Sequence, residues 1–459
     1  MTRPIGSLLL LGASGDLSGR LLLPALGQLF DREESRRGVV VMGAGAEDWD
    51  ADAWRERVRT SFAEGKVSEE ALQSVLDTTR YEKADVTNAE DLRSLIDSCP
   101  PAPALYFALP PSVTVAACKA LQQVSLPEGT TLVLEKPFGT NEEGAASLNM
   151  LLAQLVPEDQ VHRVDHFLGR STVLNLLGVR FANRQFEPMW SNEHIDRVDI
   201  VFDEQLTLEN RARYYDRAGA LMDMIQSHLL QVLALIAMEP IATLNAVDLR
   251  DAKALVLRAC RPWDDDPVGS GHQARYTHGS IGGRDVPDYA AEPGVDPSRN
   301  TETLAELVVE IDNWRWSGVP FRLRSGKALR ERRKEVLVTF KPVPHLPTGL
   351  QGDPIPNRLR LTMGPDRMAL EMNVNGPDDP LTLDRVSLDT DLSPGRLPAY
   401  GEVLAGVLDG DPFLAVRGDT AEECWRIVDP VLQAWREGKV PMDEYAAGSD
   451  GPASWGTHT

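Results

Sequence analysis

Five short apolar runs in the first third of the chain, separated by helical patterns, restrict the fold more than any other feature. They are Ser7–Leu11, residues 39–42, 104–109 and 131–134, and Val161–Val164. The helical stripe Leu22, Leu26, Leu29 and Phe30 follows the first run. Asp50 can cap a helix striped by Trp54, Val58 and Phe62, and Asn141 can cap another. Pro110-Pro111 opens a helix that reaches about residue 123. Strands alternating with helices predict βαβ units and a parallel sheet covered on both faces.

The period changes after about residue 190. Val198, Ile200 and Phe202 alternate with other residues, as do Val336, Val338 and Phe340. Leu359, Leu361 and Met363 repeat the pattern, then Met368, Leu370, Met372 and Val374. Such alternation predicts a large antiparallel sheet with one covered face. Long helices are predicted at about 219–238 and 419–437. Residues 263–301, rich in Gly, Pro and Asp, read as long loops, and so does the tail from Tyr445. The expected fold class is an α/β Rossmann domain over residues 1–170, then an α+β domain over 171–459 with a large, mainly antiparallel sheet.

Lys and Arg number 47 against 69 Asp and Glu, a net charge of −22 over 459 residues. That balance excludes a generic nucleic-acid binder, because a phosphate backbone needs a basic surface. No apolar run approaches the ~18–20 residues of a bilayer span, so no membrane partner is expected. Cys99, Cys118, Cys260 and Cys424 are too scattered for a disulfide framework or a metal knuckle, and no metal site is predicted. The N-terminal apolar run stops at Gly12, too early for a signal peptide, which predicts a cytoplasmic protein.

Gly12-Ala13-Ser14-Gly15-Asp16-Leu17 follows the first strand directly. Glycines there let the backbone approach a pyrophosphate, and the next helix offers free N–H groups to the anion. The spacing is not G-x-G-x-x-G, and an ordinary tight turn fits it too; the position after strand one favours nucleotide binding. The second strand ends Gly43-Ala-Gly-Ala46-Glu47-Asp48. An acid there can hydrogen-bond the ribose diol of NAD, where an Arg would hold the extra phosphate of NADP. The other reading is that Glu47 and Asp48 open a solvated loop.

Further segments extend the pattern: Ala108-Leu-Pro-Pro111, Glu135-Lys-Pro-Phe-Gly139, Arg163-Val-Asp-His-Phe-Leu-Gly-Arg170, Arg180-Phe-Ala-Asn183, Tyr214-Tyr-Asp216, Asp223-Met-Ile-Gln-Ser-His-Leu-Leu-Gln231 and Leu323-Arg-Ser-Gly-Lys327. In this order and spacing, almost end to end, the sequence resembles the glucose-6-phosphate dehydrogenase family. The resemblance implies oxidation of glucose 6-phosphate to 6-phosphogluconolactone, the first step of the oxidative pentose phosphate pathway, with hydride passing to NADP or NAD. It also implies a coenzyme domain, a second domain for substrate binding and oligomerisation, and a homodimer or homotetramer.

Oxidising a hemiacetal needs a base for the hydroxyl proton, and His titrates in the right range. His228 shares a helical stripe with Leu221, Ile225, Leu229, Val232 and Ile236. By itself it reads as a core histidine; the resemblance makes it the general base. Asp165 matches the carboxylate that orients the base, although an ion pair with Arg163 or another neighbour is an ordinary alternative. His166 and Arg170 match phosphate-binding positions, with Phe167 where the family usually has Tyr and Arg170 where it has Lys. Lys136 precedes Pro137, a cis peptide in the family, and would face both coenzyme and sugar. Glu204 and Asp223 match acceptors of sugar hydroxyls, and Lys327 and Arg332 match substrate-contacting cations. Without the resemblance these charges read as solvated surface. Asp223 and His228, five residues apart, do not share an α-helical line.

Three departures bear on the coenzyme. Ala46 stands where the family usually has Arg, Arg20 is the one basic residue left just after Leu17, and Thr114 replaces a common aromatic. With Glu47 they imply NAD or dual use, leaving Arg20 or Arg55 to meet an NADP phosphate. Two alternatives stand beside this reading: a dehydrogenase of another aldose or amino-sugar 6-phosphate, and a catalytically weak regulatory relative. Retention of Asp165, His228, Lys136 and Lys327 argues against the second.

Overall fold

A computed structural model describes residues 5–209 and 212–455. The chain forms two compact units. The first holds the residues through Ser171 together with Ile241–Ala252 and Gly395–Glu423. The second holds Thr172–Pro240, Lys253–Pro394 and the residues from Cys424 onward.

In the first unit, strands β1 (Ser7–Leu11), β2 (Val40–Gly45), β3 (Arg80–Lys83), β4 (Pro103–Phe107), β5 (Thr131–Glu135) and β6 (Val161–Val164) run parallel in the order 3-2-1-4-5-6. This is the doubly wound order of dinucleotide-binding domains. β1 is buried along its whole length, as a central parallel strand must be. The predicted caps form: Asp50 accepts the Ala53 N–H at 2.8 Å and Asn141 the Gly144 N–H at 2.8 Å. β3 escaped the sequence reading because Arg-Tyr-Glu-Lys at a sheet edge carries no apolar signal.

Two elements of the stretch Gly395–Glu423 pack into this unit. Leu404, Val407 and Leu408 of helix Ala399–Asp409 share a core with Leu8, Leu10, Leu26 and Phe30. Ala415–Val416 adds a short antiparallel edge to β6. Both contacts join residues more than two hundred positions apart, so no local pattern announces them.

The second unit is built on a ten-stranded mixed sheet. Its main path runs Leu383–Asp391, Arg367–Asn375, Arg358–Thr362, Arg333–Phe340, Ile195–Asp203, Phe321–Gly326, Leu304–Ile311, Gly271–Thr277 and Met442–Ala446. Most neighbours are antiparallel; Ile195–Asp203 with Phe321–Gly326, and Gly271–Thr277 with Met442–Ala446, are parallel. Two expectations are corrected. Residues 263–301 are not all loop, since they contain the strand Gly271–Thr277 and the hairpin Gly279–Ile281 with Arg284–Val286. The tail does not begin as loop, because Tyr445 is buried in the last strand. Both strands are short and rich in polar residues, so alternation alone does not mark them.

Helix Tyr214–Ala237 is long and apolar enough to cross a membrane, contrary to the reading that no segment approaches that length, but 83% of its most apolar window is buried inside the protein. It is a core helix. Its winding matters for chemistry. Gly219 (φ 68°, ψ 176°) interrupts it, and from Leu221 to Leu229 it is wound as a π-helix.

β6 also carries His162 into the interior, 3% exposed. Burial, with the Arg250 charge nearby, pushes its pKa down from 6.5 to about 3. The folded protein keeps this imidazole neutral, while the unfolded chain takes up a proton below about pH 6.5. Stability should therefore fall as pH drops from about 6.5 toward 3, by up to ~1.4 kcal/mol per unit from this residue. Urea unfolding between pH 7 and 5 is expected to show a flatter pH slope in His162→Leu than in wild type; equal slopes would assign the acid sensitivity to other groups.

Candidate active site

At the carboxyl ends of the parallel strands, where the strand order reverses between β1 and β4, a cavity of about 820 Å³ opens. Gly12, Ser14, Gly15, Glu47, Pro110 and Val113 contribute to its wall. Gly12 has φ 88°, and a Cβ there would stand 2.4 Å from the Ala108 carbonyl oxygen. The Gly12 and Ala13 N–H groups both donate to the Ala44 carbonyl, at 2.8 and 3.0 Å, which pins the turn to β2. Arg57 holds it from the other side, donating to the carbonyls of Gly15 at 2.8 Å and Ser14 at 3.3 Å. The helix that starts at Asp16 leaves its first N–H groups without intrahelical partners, beside this turn. A dinucleotide fits: the backbone is bare where a pyrophosphate would lie.

The predicted coenzyme residues divide. Gly12, Ser14, Gly15 and Glu47 line the cavity. Ala13 is buried, and Leu17 packs on the core. Asp16 pairs with Arg20 at 3.2 Å on the surface. Thr114 is buried with its hydroxyl on the Pro110 carbonyl at 3.3 Å, and Val113 takes the wall position. The sequence reading missed Lys83, Asp85 and Asp91, which reach the cavity from the end of β3 and beyond.

The same unit carries the predicted phosphate-binding segment. Asp165 is buried at the end of β6, where its Oδ1 accepts the Phe167 N–H at 2.9 Å and caps the turn His166–Gly169. Arg163 is engaged on Glu158 at 2.8 Å and on Asn149 at 2.6 Å. His166 stacks on Tyr400 with ring centres 5.3 Å apart. Lys136 leaves β5 through a cis peptide to Pro137, as the resemblance implied. Its neighbour Glu135 accepts the Tyr106 hydroxyl at 2.5 Å. Burial pushes the Glu135 carboxyl up to about 7, against the pull of that hydrogen bond and of the Lys136 charge.

The second unit supplies the remaining groups. The π-helix Leu221–Leu229 bonds residue i to i+5, so Asp223 and His228 lie one wide turn apart and share a side. The α-helical spacing argument that separated them is overturned by this winding. His228 is buried, and Asp223 accepts the Tyr214 hydroxyl at 3.2 Å. Glu204 follows Ile195–Asp203, whose parallel pairing with Phe321–Gly326 brings it to Lys327. Lys327 Nζ stands 3.0 Å from Glu204 and Lys334 Nζ 2.8 Å from it. Burial works against the Glu204 charge, but the two ammonium groups hold its carboxyl below the usual range. Lys334 was not predicted; its only sequence signal is the run Arg332-Arg333-Lys334. Arg332 itself is exposed and lies against the Gly364 turn.

Residues 9–175 match the NAD-binding domain of glucose-6-phosphate dehydrogenase, and residues 177–458 match its C-terminal domain. The chain belongs to the glucose-6-phosphate dehydrogenase family. A glucose-6-phosphate 1-dehydrogenase of Zymomonas mobilis is 36% identical over 99% of this chain and 97% of its own. That of Dickeya dadantii is 38% identical over 97% and 94%. Among solved structures, the enzyme of Mycobacterium avium aligns with a TM-score of 0.86 at 34% identity, covering 99% of this chain and 96% of its own. A glucose-6-phosphate dehydrogenase in complex with its substrate glucose-6-phosphate aligns with a TM-score of 0.88 at 27% identity, covering 99% and 97%. The enzyme is an oxidoreductase with a nicotinamide coenzyme domain.

Within this family the pair Phe167 and Arg170 has its own physical logic. The Arg170 guanidinium carbon sits 4.7 Å from the centre of the buried Phe167 ring. A guanidinium stacked on a ring is restrained in orientation. Phe167 therefore lacks the hydroxyl of Tyr and keeps the ring face on which the arginine fork rests.

The Gly12 geometry gives a direct test. Gly12→Ala places a methyl against the Ala108 carbonyl at a backbone angle that L residues avoid. Titration with NADH, followed by fluorescence, is expected to show at least tenfold weaker binding with the circular dichroism of wild type. Wild-type affinity would mean that the coenzyme does not approach this turn.

Proposed function

We propose that this enzyme oxidises glucose 6-phosphate to 6-phosphogluconolactone, with His228 as general base. The observation that carries the reading is the single side shared by His228 and Asp223 on the π-helix, in a chain similar over its whole length to a dehydrogenase solved with this sugar phosphate. The imidazole of His228 takes the proton of the C1 hydroxyl as the C1–H electron pair leaves as hydride, so the C1–O bond becomes the lactone carbonyl. The nicotinamide coenzyme, bound at the Gly12 turn, supplies the hydride acceptor. Asp165 is the carboxylate proposed to orient His228 and stabilise its cationic form. Asp223 and Glu204 accept hydrogen bonds from sugar hydroxyls. Lys136, His166, Arg170 and Lys327 face the dianionic substrate, with Phe167 supporting Arg170. Arg332 is assigned to the substrate only through the resemblance.

The coenzyme half favours NAD, or dual use. Glu47 lines the cavity and accepts the Ser14 hydroxyl at 2.6 Å. Asp85 and Asp91 line it too, and Lys83 is paired with Asp48 at 3.2 Å. A ribose 2′-phosphate would meet carboxylates, while a 2′-hydroxyl can donate to one. Arg20 is held by Asp16, and the arginine at the glycine-rich turn is Arg57, engaged on carbonyls.

An assembly of two or four copies is proposed, supported by Val374, Leu381 and Leu388, which are exposed on and beside the outer strands of the large sheet. The four free thiols fit a reducing cytoplasmic setting.

Steady-state kinetics test the chemistry. Wild type is expected to turn over glucose 6-phosphate with kcat/KM for NAD at least equal to that for NADP. His228→Asn is expected to lose at least a thousandfold in kcat with little change in KM. Ala46→Arg is expected to raise kcat/KM for NADP at least tenfold. Absence of turnover in folded wild type would redirect the search to another sugar phosphate, and a clear NADP preference would overturn the coenzyme reading.

A further inference from the structure

Thr301, Glu302 and Thr303, just ahead of and entering the strand Leu304–Ile311, are three consecutive buried polar residues to which the reaction assigns no role. Each is engaged on a segment that carries site residues. Thr301 Oγ1 donates to the Asp216 carbonyl at 2.7 Å, in the turn of helix before the Gly219 break. Glu302 Oε1 accepts the Leu221 N–H at 3.0 Å, and its backbone carbonyl accepts the Ala220 N–H at 3.3 Å. The Thr303 carbonyl accepts the Lys327 N–H at 2.9 Å. The Tyr445 hydroxyl, hydrogen-bonded to Thr303 Oγ1 at 2.9 Å, donates to the Lys327 carbonyl at 2.7 Å. One short stretch thus fixes both the start of the π-helix and the turn that presents Lys327.

Glu302 also lies directly against Gly219. A Cβ on Gly219 would stand 2.3 Å from the carboxylate, so the carboxylate occupies the space a side chain would need. The left-handed Gly219 backbone (φ 68°) breaks the preceding helix and lets Leu221 begin a new one. The first N–H groups of that new helix have no partner within it, and Glu302 supplies one. We propose that Glu302 is a positioning residue for the reaction: its carboxylate sets where the π-helix starts, and thereby where Asp223 and His228 stand. The inference rests on His228 being the base. Burial pushes the Glu302 carboxyl up to about 7, with the Leu221 N–H pulling it down. Both protonation states keep an acceptor oxygen, so the role does not depend on pH.

The test uses Glu302→Gln, which keeps an acceptor oxygen in the same shape, and Glu302→Leu, which leaves the Leu221 N–H buried without one. Kinetics with glucose 6-phosphate and amide hydrogen exchange of the peptide 219–230 are measured on the full chain. Glu302→Leu is expected to lower kcat at least tenfold, leave the coenzyme KM within twofold, and speed exchange in that peptide. Glu302→Gln is expected to restore both readouts to within threefold of wild type. Thr301→Val, which removes one donor to Asp216, is expected to move both in the same direction more mildly, and serves if Glu302→Leu does not fold. Wild-type kcat and exchange in the Leu variant, or equal damage in the Gln variant, would overturn the proposal. A wild-type protein inert toward glucose 6-phosphate would overturn the functional reading instead, while the exchange data would still decide what Glu302 positions.

Discussion

Winding nine residues of a buried helix with i→i+5 hydrogen bonds is the constraint on which the substrate half of this enzyme depends. A π-helix is rare because its wider turn packs less well along its own axis. Here the apolar side chains on either side, Leu221, Ile225, Leu229 and Leu230, are fully buried, and their packing holds the geometry. The result is chemical. A carboxylate and an imidazole that an α-helix would send in different directions share one side.

Charge is handled locally. The protein is strongly acidic, yet its substrate is a dianion, so field from the whole molecule opposes binding. The structure answers with cations gathered around single acids. Lys327 and Lys334 both converge on Glu204, and the three together carry a net positive charge. In the other unit, the Arg170 guanidinium stands over the face of the Phe167 ring.

The coenzyme cavity uses backbone where the substrate half uses side chains. Its turn is held by hydrogen bonds from Gly12 and Ala13 to β2 and by Arg57 on the opposite side. None of these contacts depends on the identity of the ligand. Glu47, Asp85 and Asp91 line the same cavity.

The sequence by itself determined the alternation of strands and helices, hence a doubly wound domain, and placed the glycine turn directly after the first strand. Those features are local: apolar period, caps at Asp50 and Asn141, and small residues at a turn. Motif order also identified the family before any geometry was known. Tertiary structure alone decided the rest. Strand Met442–Ala446 and helix Ala399–Asp409 find partners far away in the chain, through pairing and packing that no local period encodes. Lys334, not Arg332, meets Glu204, because Lys334 lies within the strand Arg333–Phe340 that pairs with Ile195–Asp203, and Arg332 precedes that strand. Asp223 and His228 are set on one side by a helix winding that composition cannot reveal, since the same residues fit an α-helix equally well. Local chemistry writes the elements; the register of hydrogen bonds between and within them decides which side chains meet.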